Sequence, residues 1–134
     1  MRIFIDTNVI LSTALFPCGV AASAYRKAVS PPHDPLISDY VISELQEVFS
    51  GKFPERIDAL DAFLSRLGPT MTIVPTPHNP VANETALRDM DNGPILRAAI
   101  AYGADVILTG DKDLLEANLK HPQALSPSAF INLD

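Results

Sequence analysis

Four short runs, nearly free of polar residues, constrain this chain more than anything else in it: RIFI (residues 2–5), LIS (36–38), MTIV (71–74) and DVILT (105–109). A strand with one wet face alternates apolar and polar residues. A short run that stays apolar suits a strand covered on both faces. Helical stretches separate these runs, and strands alternating with helices imply a parallel sheet flanked by helices. The expected fold is therefore α/β: three α/β/α layers around a central, mostly parallel sheet of four or five strands. With 134 residues the chain is long enough for a core of its own and reads as one domain over residues 1–134.

The helices follow from spacing and punctuation. Val9–Phe16 reads as a short helix stopped near Pro17, and Ala21–Val29 as a second. Ser38 or Asp39 can cap the next, where Val41, Ile42, Leu45, Val48 and Phe49 recur at helical spacing until Gly51. Glu44 falls beside or on that apolar stripe, not opposite it. Pro54 opens a helix with Ile57, Leu60, Phe63, Leu64 and Leu67 on its apolar face, closed by Gly68. A short helix is expected near Ala82–Leu87. Pro94 suits the first turn of a helix running to Tyr102, with Gly103 beyond it. Lys112 or Asp113 starts another, reaching about Lys120. QAL (123–125) reads as a last strand, and Ser126 with Pro127 opens a final helix.

Several chemistries are excluded. Cys18 is the single cysteine, so no intrachain disulfide forms, and a small buried thiol is the expected reading. His33, His78 and His121 lie in loops or at helix ends without zinc-ligand spacing and read as surface residues. There is no Ser–His–Asp order and no P-loop. The first two dozen residues mimic a secretory signal, but Asp6 and Asn8 interrupt the apolar segment, and no stretch reaches the roughly 18 residues of a membrane span. A cytoplasmic protein with no membrane partner is expected.

In open α/β sheets, ligands bind outside the carboxyl ends of the strands. Asp6, Thr7 and Asn8 follow the first strand, Ser38 and Asp39 the second, and Thr109, Asp111 and Asp113 the DVIL strand. Each acid by itself can be a helix cap, and Asp89 and Asp91 can serve the helix after them in the same way. Together they repel one another unless cations neutralise them, and hard oxygen ligands select Mg²⁺ or Mn²⁺.

IFIDTNVIL, SELQEVF, RDMDNGPILRAAIAYGADVILTGDKDLL and LSPSAFI, in this order across almost the whole chain, resemble a PIN domain, nearest to the VapC-type toxins of prokaryotic toxin–antitoxin pairs. The resemblance implies an acidic pocket that binds one or two Mg²⁺ or Mn²⁺ ions and hydrolyses RNA phosphodiesters. By position, Asp6 resembles the first acid, Glu44 the second and Asp111 the fourth, with Asp113 auxiliary and Asn8 and Thr109 lining the pocket. The third acid is where the sequence departs. Asn92 falls at its place, and Asp91 stands next to it. Asp91 is taken as the catalytic and metal-binding acid, with Asn92 lining the pocket. The resemblance also implies a homodimer and a protein antitoxin.

The net charge of −6 at first argues against an RNA partner. Five site acids account for all but one unit of it, and bound divalent ions would cancel the rest. Arg88, Arg97 and Lys112 flank the motifs and are candidates for phosphate contact. Two rivals stand beside the nuclease. One is a PIN module that binds RNA or a partner but cleaves poorly. The other is a receiver-like or phosphatase-like domain that accepts a phosphoryl group; against it, no second acid adjoins Asp6 and no suitably placed lysine follows a late strand.

Overall fold

The computed structural model describes residues 1–133. Five strands form one all-parallel sheet: β1 (Arg2–Ile5), β2 (Asp34–Ser38), β3 (Thr72–Val74), β4 (Val106–Leu108) and β5 (Gln123–Leu125), in spatial order β3-β2-β1-β4-β5. Seven α-helices flank it among the described residues: α1 (Thr7–Leu15), α2 (Val20–Ala28), α3 (Asp39–Lys52), α4 (Ile57–Ser65), α5 (Gly93–Ala101), α6 (Lys112–Glu116) and α7 (Pro127–Ile131). The apolar runs behave as their composition requires. Ile3, Phe4, Ile5, Leu36, Ile37, Val106, Ile107 and Leu108 are all buried.

The strand order locates the site. From β1 the chain builds outward through β2 and β3, then returns across β1 to lay down β4 and β5. The order therefore reverses between β1 and β4. Loops leave that point in opposite directions and open a crevice at the carboxyl ends of the two strands. The register pairs Ile5 with Leu108, so Asp6 and Thr109 emerge side by side.

The helices bury the faces their spacing marks. Val41, Leu45 and Phe49 line the inner side of α3, and Ile95, Leu96, Ala98 and Ala99 that of α5. Ser38 is the cap of α3, accepting from the Val41 amide at 3.3 Å. Asp39 instead accepts from the Tyr40 amide and from Thr76, whose hydroxyl lies at 2.6 Å. Gly103 adopts φ 69°, a conformation that admits glycine at no cost and turns the chain from α5 towards β4.

Four expectations are corrected. Helix α3 runs through Gly51 to Lys52, because Gly51 keeps helical geometry and a cap forms only at Phe53. Gly68 lies beyond α4, which ends at Ser65, and Pro54–Arg56 is a separate 3₁₀ turn before it. Helix α6 stops at Glu116 because Asn118 turns left-handed, at φ 61°. Cys18 is exposed, since it sits on the corner where α2 turns away from α1 by 118°. That bend separates two helices that are apolar together, and no single helix among the described residues is long and apolar enough to cross a membrane.

Candidate functional site

Asp6 occupies the mouth of β1 and caps α1, accepting from the Thr7 amide at 2.7 Å. Its other oxygen accepts from the Thr109 hydroxyl at 2.7 Å and from the Asn8 amide at 3.0 Å. Asn8 in turn accepts from the Gly110 amide at 2.9 Å, and Thr109 from the Asp111 amide at 3.0 Å. The residues after β1 and β4 are thus laced into one network. Asp6 is 4% exposed, and its carboxyl is pushed up to about 6. Loss of solvent is the main cause and the Asp111 charge adds to it, against the hydrogen bonds from Thr109, Thr7 and Asn8.

Glu44 reaches the same crevice from α3. The Thr7 hydroxyl donates to Glu44 at 2.6 Å, tying the first turn of α1 to the middle of α3. Burial raises the Glu44 carboxyl, and the charges of Asp6, Asp91 and Glu47 raise it further, while Thr7 opposes them. One turn earlier on α3, the phenol of Tyr40 is pushed up to about 12 by loss of solvent and by Glu44, Asp91, Asp89 and Glu47. Neither Thr7 nor Tyr40 stood out as a site residue in the sequence. Thr7 could have been found inside the DTN motif, whereas Tyr40 carries no signal beyond its spacing from Glu44.

Asp111 caps α6, accepting from the Asp113 amide at 2.9 Å. Asp113 is buried and strongly engaged. It accepts the backbone amides of Arg88 and Asp89 at 2.8 and 3.0 Å, the Arg88 guanidinium at 3.4 Å and the Asn92 amide at 3.0 Å. Burial works to raise the Asp113 carboxyl, but these four donors prevail and hold it down at about 2. Asp113 fastens the Arg88–Asn92 segment to the sheet. Asn92 is buried and donates to Asp111 as well, at 3.2 Å. Asp91 lies on the exposed side of the 3₁₀ turn Met90–Asn92, its amide held by Asp89 at 2.9 Å, and its charge is felt at Glu44 and Tyr40.

The three cations differ in availability. Arg97 is drawn inward, paired with Glu84 at 3.1 Å and donating to the Pro77 carbonyl at 3.0 Å. This geometry holds the Pro77–Glu84 connection in place and keeps Arg97 away from an incoming phosphate. Arg88 is largely exposed and shared between Asp113 and Glu116. Lys112 is exposed on the first turn of α6.

Asp6, Glu44 and Asp111 offer oxygen donors only, with Asn8 and Thr109 as neutral oxygens between them. A hard divalent cation fits this chemistry, and the raised carboxyls of Asp6 and Glu44 mark charge that a cation would relieve. Among the described residues, no three His, Cys, Asp or Glu side chains are drawn close enough together to form a metal-holding group.

The family model for the PIN domain matches residues 2–113. No curated protein matches the chain. Among solved structures, the chain is similar to the crystal structure of VapBC2 from Rickettsia felis bound to a DNA fragment from their promoter. The TM-score is 0.68 and the identity 18%, with 94% of this chain and 98% of that chain covered. At that identity the likeness speaks to the fold, a parallel sheet with flanking helices. The family match covers far more than half the chain and includes both strands that meet at the acidic crevice, and on it the chain belongs to the PIN domain family.

Proposed function

We propose that this protein is a divalent-metal-dependent endoribonuclease and the toxin component of a toxin–antitoxin pair. One observation carries the reading: Asp6 and Asp111 are laced together through Thr109 at the β1/β4 switch point, with Glu44 fastened beside them through Thr7. PIN domains are in general nucleases, and the similarity to a VapBC complex supports the toxin assignment.

Asp6, Glu44 and Asp111 would hold Mg²⁺ or Mn²⁺, with Asp91 joining at the mouth of the crevice and room for one or two ions. The ion would supply Lewis acidity and a water of lowered pKa. The chain's own residues do the rest. Thr109 and Asn8 hold Asp6 in one orientation. Thr7 fixes Glu44 against the charges around it. Asp113 secures the Arg88–Asn92 segment that forms one wall. Arg88 and Lys112, exposed beside the acids, would contact phosphates of a bound strand. Hydrolysis by a metal-bound water needs no cysteine or serine nucleophile, so no covalent intermediate is expected.

An RNA substrate, a protein antitoxin, a homodimer and a cytoplasmic location complete the proposal. Incubating the purified protein with mixed RNAs and Mn²⁺ tests it. Cleavage that disappears with EDTA and in Asp6→Asn is expected; cleavage that survives both points to a contaminating nuclease. A second reading, a PIN module that binds RNA or a partner without cutting, draws on Asn92 standing among the acids and on the hydrogen-bond saturation of Asp113. Retention of RNA in Mn²⁺ without cleavage would favour it.

A further inference from the structure

Asn92 immediately precedes α5, at the position where asparagine usually accepts a hydrogen bond from its own helix. Here it makes no such cap. Its amide nitrogen points away from α5 and donates to Asp111 Oδ2 at 3.2 Å and to Asp113 Oδ2 at 3.0 Å. Both acceptors are carboxylate oxygens, so the NH₂ end must face them: the amide oxygen in that place would meet two anions. Asn92 is 6% exposed, its contact with Asp113 is buried and its contact with Asp111 is partly buried. The two acids it joins belong to the first turn of α6, and the amide offers one N–H to each.

We infer that Asn92 is a positioning residue, a neutral bridge that holds Asp111 and Asp113 together before any cation arrives, at the cost of cation affinity. The inference rests on the metal-binding reading given above. The two partly positive amide hydrogens do a share of what a bound cation would do for the same two carboxylates. A carboxylate at this position would reverse both effects: it would add ligand charge, which tightens hard-cation sites, and would remove the only side-chain amide between Asp111 and Asp113. The Asp111–Asp113 pair is therefore held in place without an ion, and the site binds its ion more loosely than it would with a carboxylate at residue 92.

Thermal melting in EDTA and Mn²⁺ titration by calorimetry, both on the full chain, test this. Asn92→Asp should melt at least about 4 °C lower than the wild type in EDTA. It should bind Mn²⁺ at least about tenfold more tightly, and Mn²⁺ should raise its melting temperature by more than it raises that of the wild type. If Asn92→Asp folds only when Mn²⁺ is added, that dependence is itself the expected result. Asn92→Leu, similar in volume but without a donor, separates bridging from space filling: it should also melt lower in EDTA, without the gain in Mn²⁺ affinity. Wild-type melting of Asn92→Leu in EDTA, or unchanged Mn²⁺ affinity in Asn92→Asp, overturns the inference alone. Absence of Mn²⁺ binding in both the wild type and Asn92→Asp overturns it together with the metal reading.

Discussion

Asp6 carries two duties that pull against each other. As a helix cap it is satisfied by hydrogen bonds, and as a buried charge it is held at a pKa of about 6, above the 3.8 of an ordinary aspartate. The folded chain thus holds a proton on Asp6 that the unfolded chain has already released. In EDTA, this group's contribution to stability is intact below about pH 4. It is lost as the pH climbs through 6, because ionisation then favours the unfolded state. Asp6→Asn should remove that part of the pH dependence in urea unfolding, because an amide has no acid proton to release, while losing one of the hydrogen bonds that the two carboxylate oxygens accept. A variant whose stability in EDTA still falls as steeply between about pH 4 and 7 as that of the wild type would show that Asp6 is not the group that titrates. The same substitution should abolish cleavage, so function and apo stability part company at this residue. The sequence marks Asp6 and Asp111 as candidates because Asp6 directly follows an apolar strand and Asp111 follows another after Thr109 and Gly110. Asn92 was legible as a departure, but its partners were not, since nothing local announces a contact across 19 and 21 residues.

At the scale of elements, the site depends on how loosely structured segments are fastened to the sheet. Only 3₁₀ turns, Ala82–Ala86 and Met90–Asn92, lie between β3 and α5. Three carboxylates anchor this stretch: Asp39 holds Thr76, Glu84 pairs with Arg97, and Asp113 accepts from the backbone of Arg88 and Asp89. A carboxylate that accepts backbone amides orders the chain in a way an ion pair at the surface does not. Asp113→Ala should therefore cost about 1–3 kcal/mol in urea unfolding, leaving the partly buried Arg88 and Asp89 amides and the buried Asn92 amide without this acceptor, whereas Lys112→Ala one residue away should cost little. Equal, small effects of the two would contradict the anchoring role. The pH sign is opposite to that of Asp6: the Asp113 carboxyl is held at about 2, so its contribution is present above about pH 4 and is lost as the pH falls towards 2. The sequence marks the existence of nearly every element, because apolar runs and caps are local signals. It misplaces the ends of α3, α4 and α6, because glycine is permitted to end a helix but is not compelled to. For α6 the stop came from Asn118, which sequence alone left inside the helix.

For the whole molecule, strand order decides function. The acids at residues 6, 44 and 111 come from three separate stretches, and only a sheet that reverses direction between β1 and β4 brings the ends of those two strands together. Alternating strands and helices implied a parallel sheet; the order of its strands was not read from the sequence, because periodicity does not say which strands pair. The distribution of charge follows from the same topology. Under the proposed function, a divalent ion held by Asp6, Glu44 and Asp111 would alter the local field at the β1/β4 switch point far more than it alters the fold. Cys18, in contrast, was misread because burial at a helix corner depends on the crossing angle of α1 and α2, which no local pattern encodes.

If the carboxyl ends of β1 and β4 form a divalent-metal site, Mn²⁺ binds there. Anomalous diffraction from crystals soaked in Mn²⁺ tests it most directly. The expected result is a manganese peak within about 2.0–2.2 Å of carboxylate oxygens of Asp6 and Asp111, as hard-cation coordination requires. Crystals that diffract well yet show no peak at the crevice, or a peak only on acids elsewhere on the surface, would contradict the account.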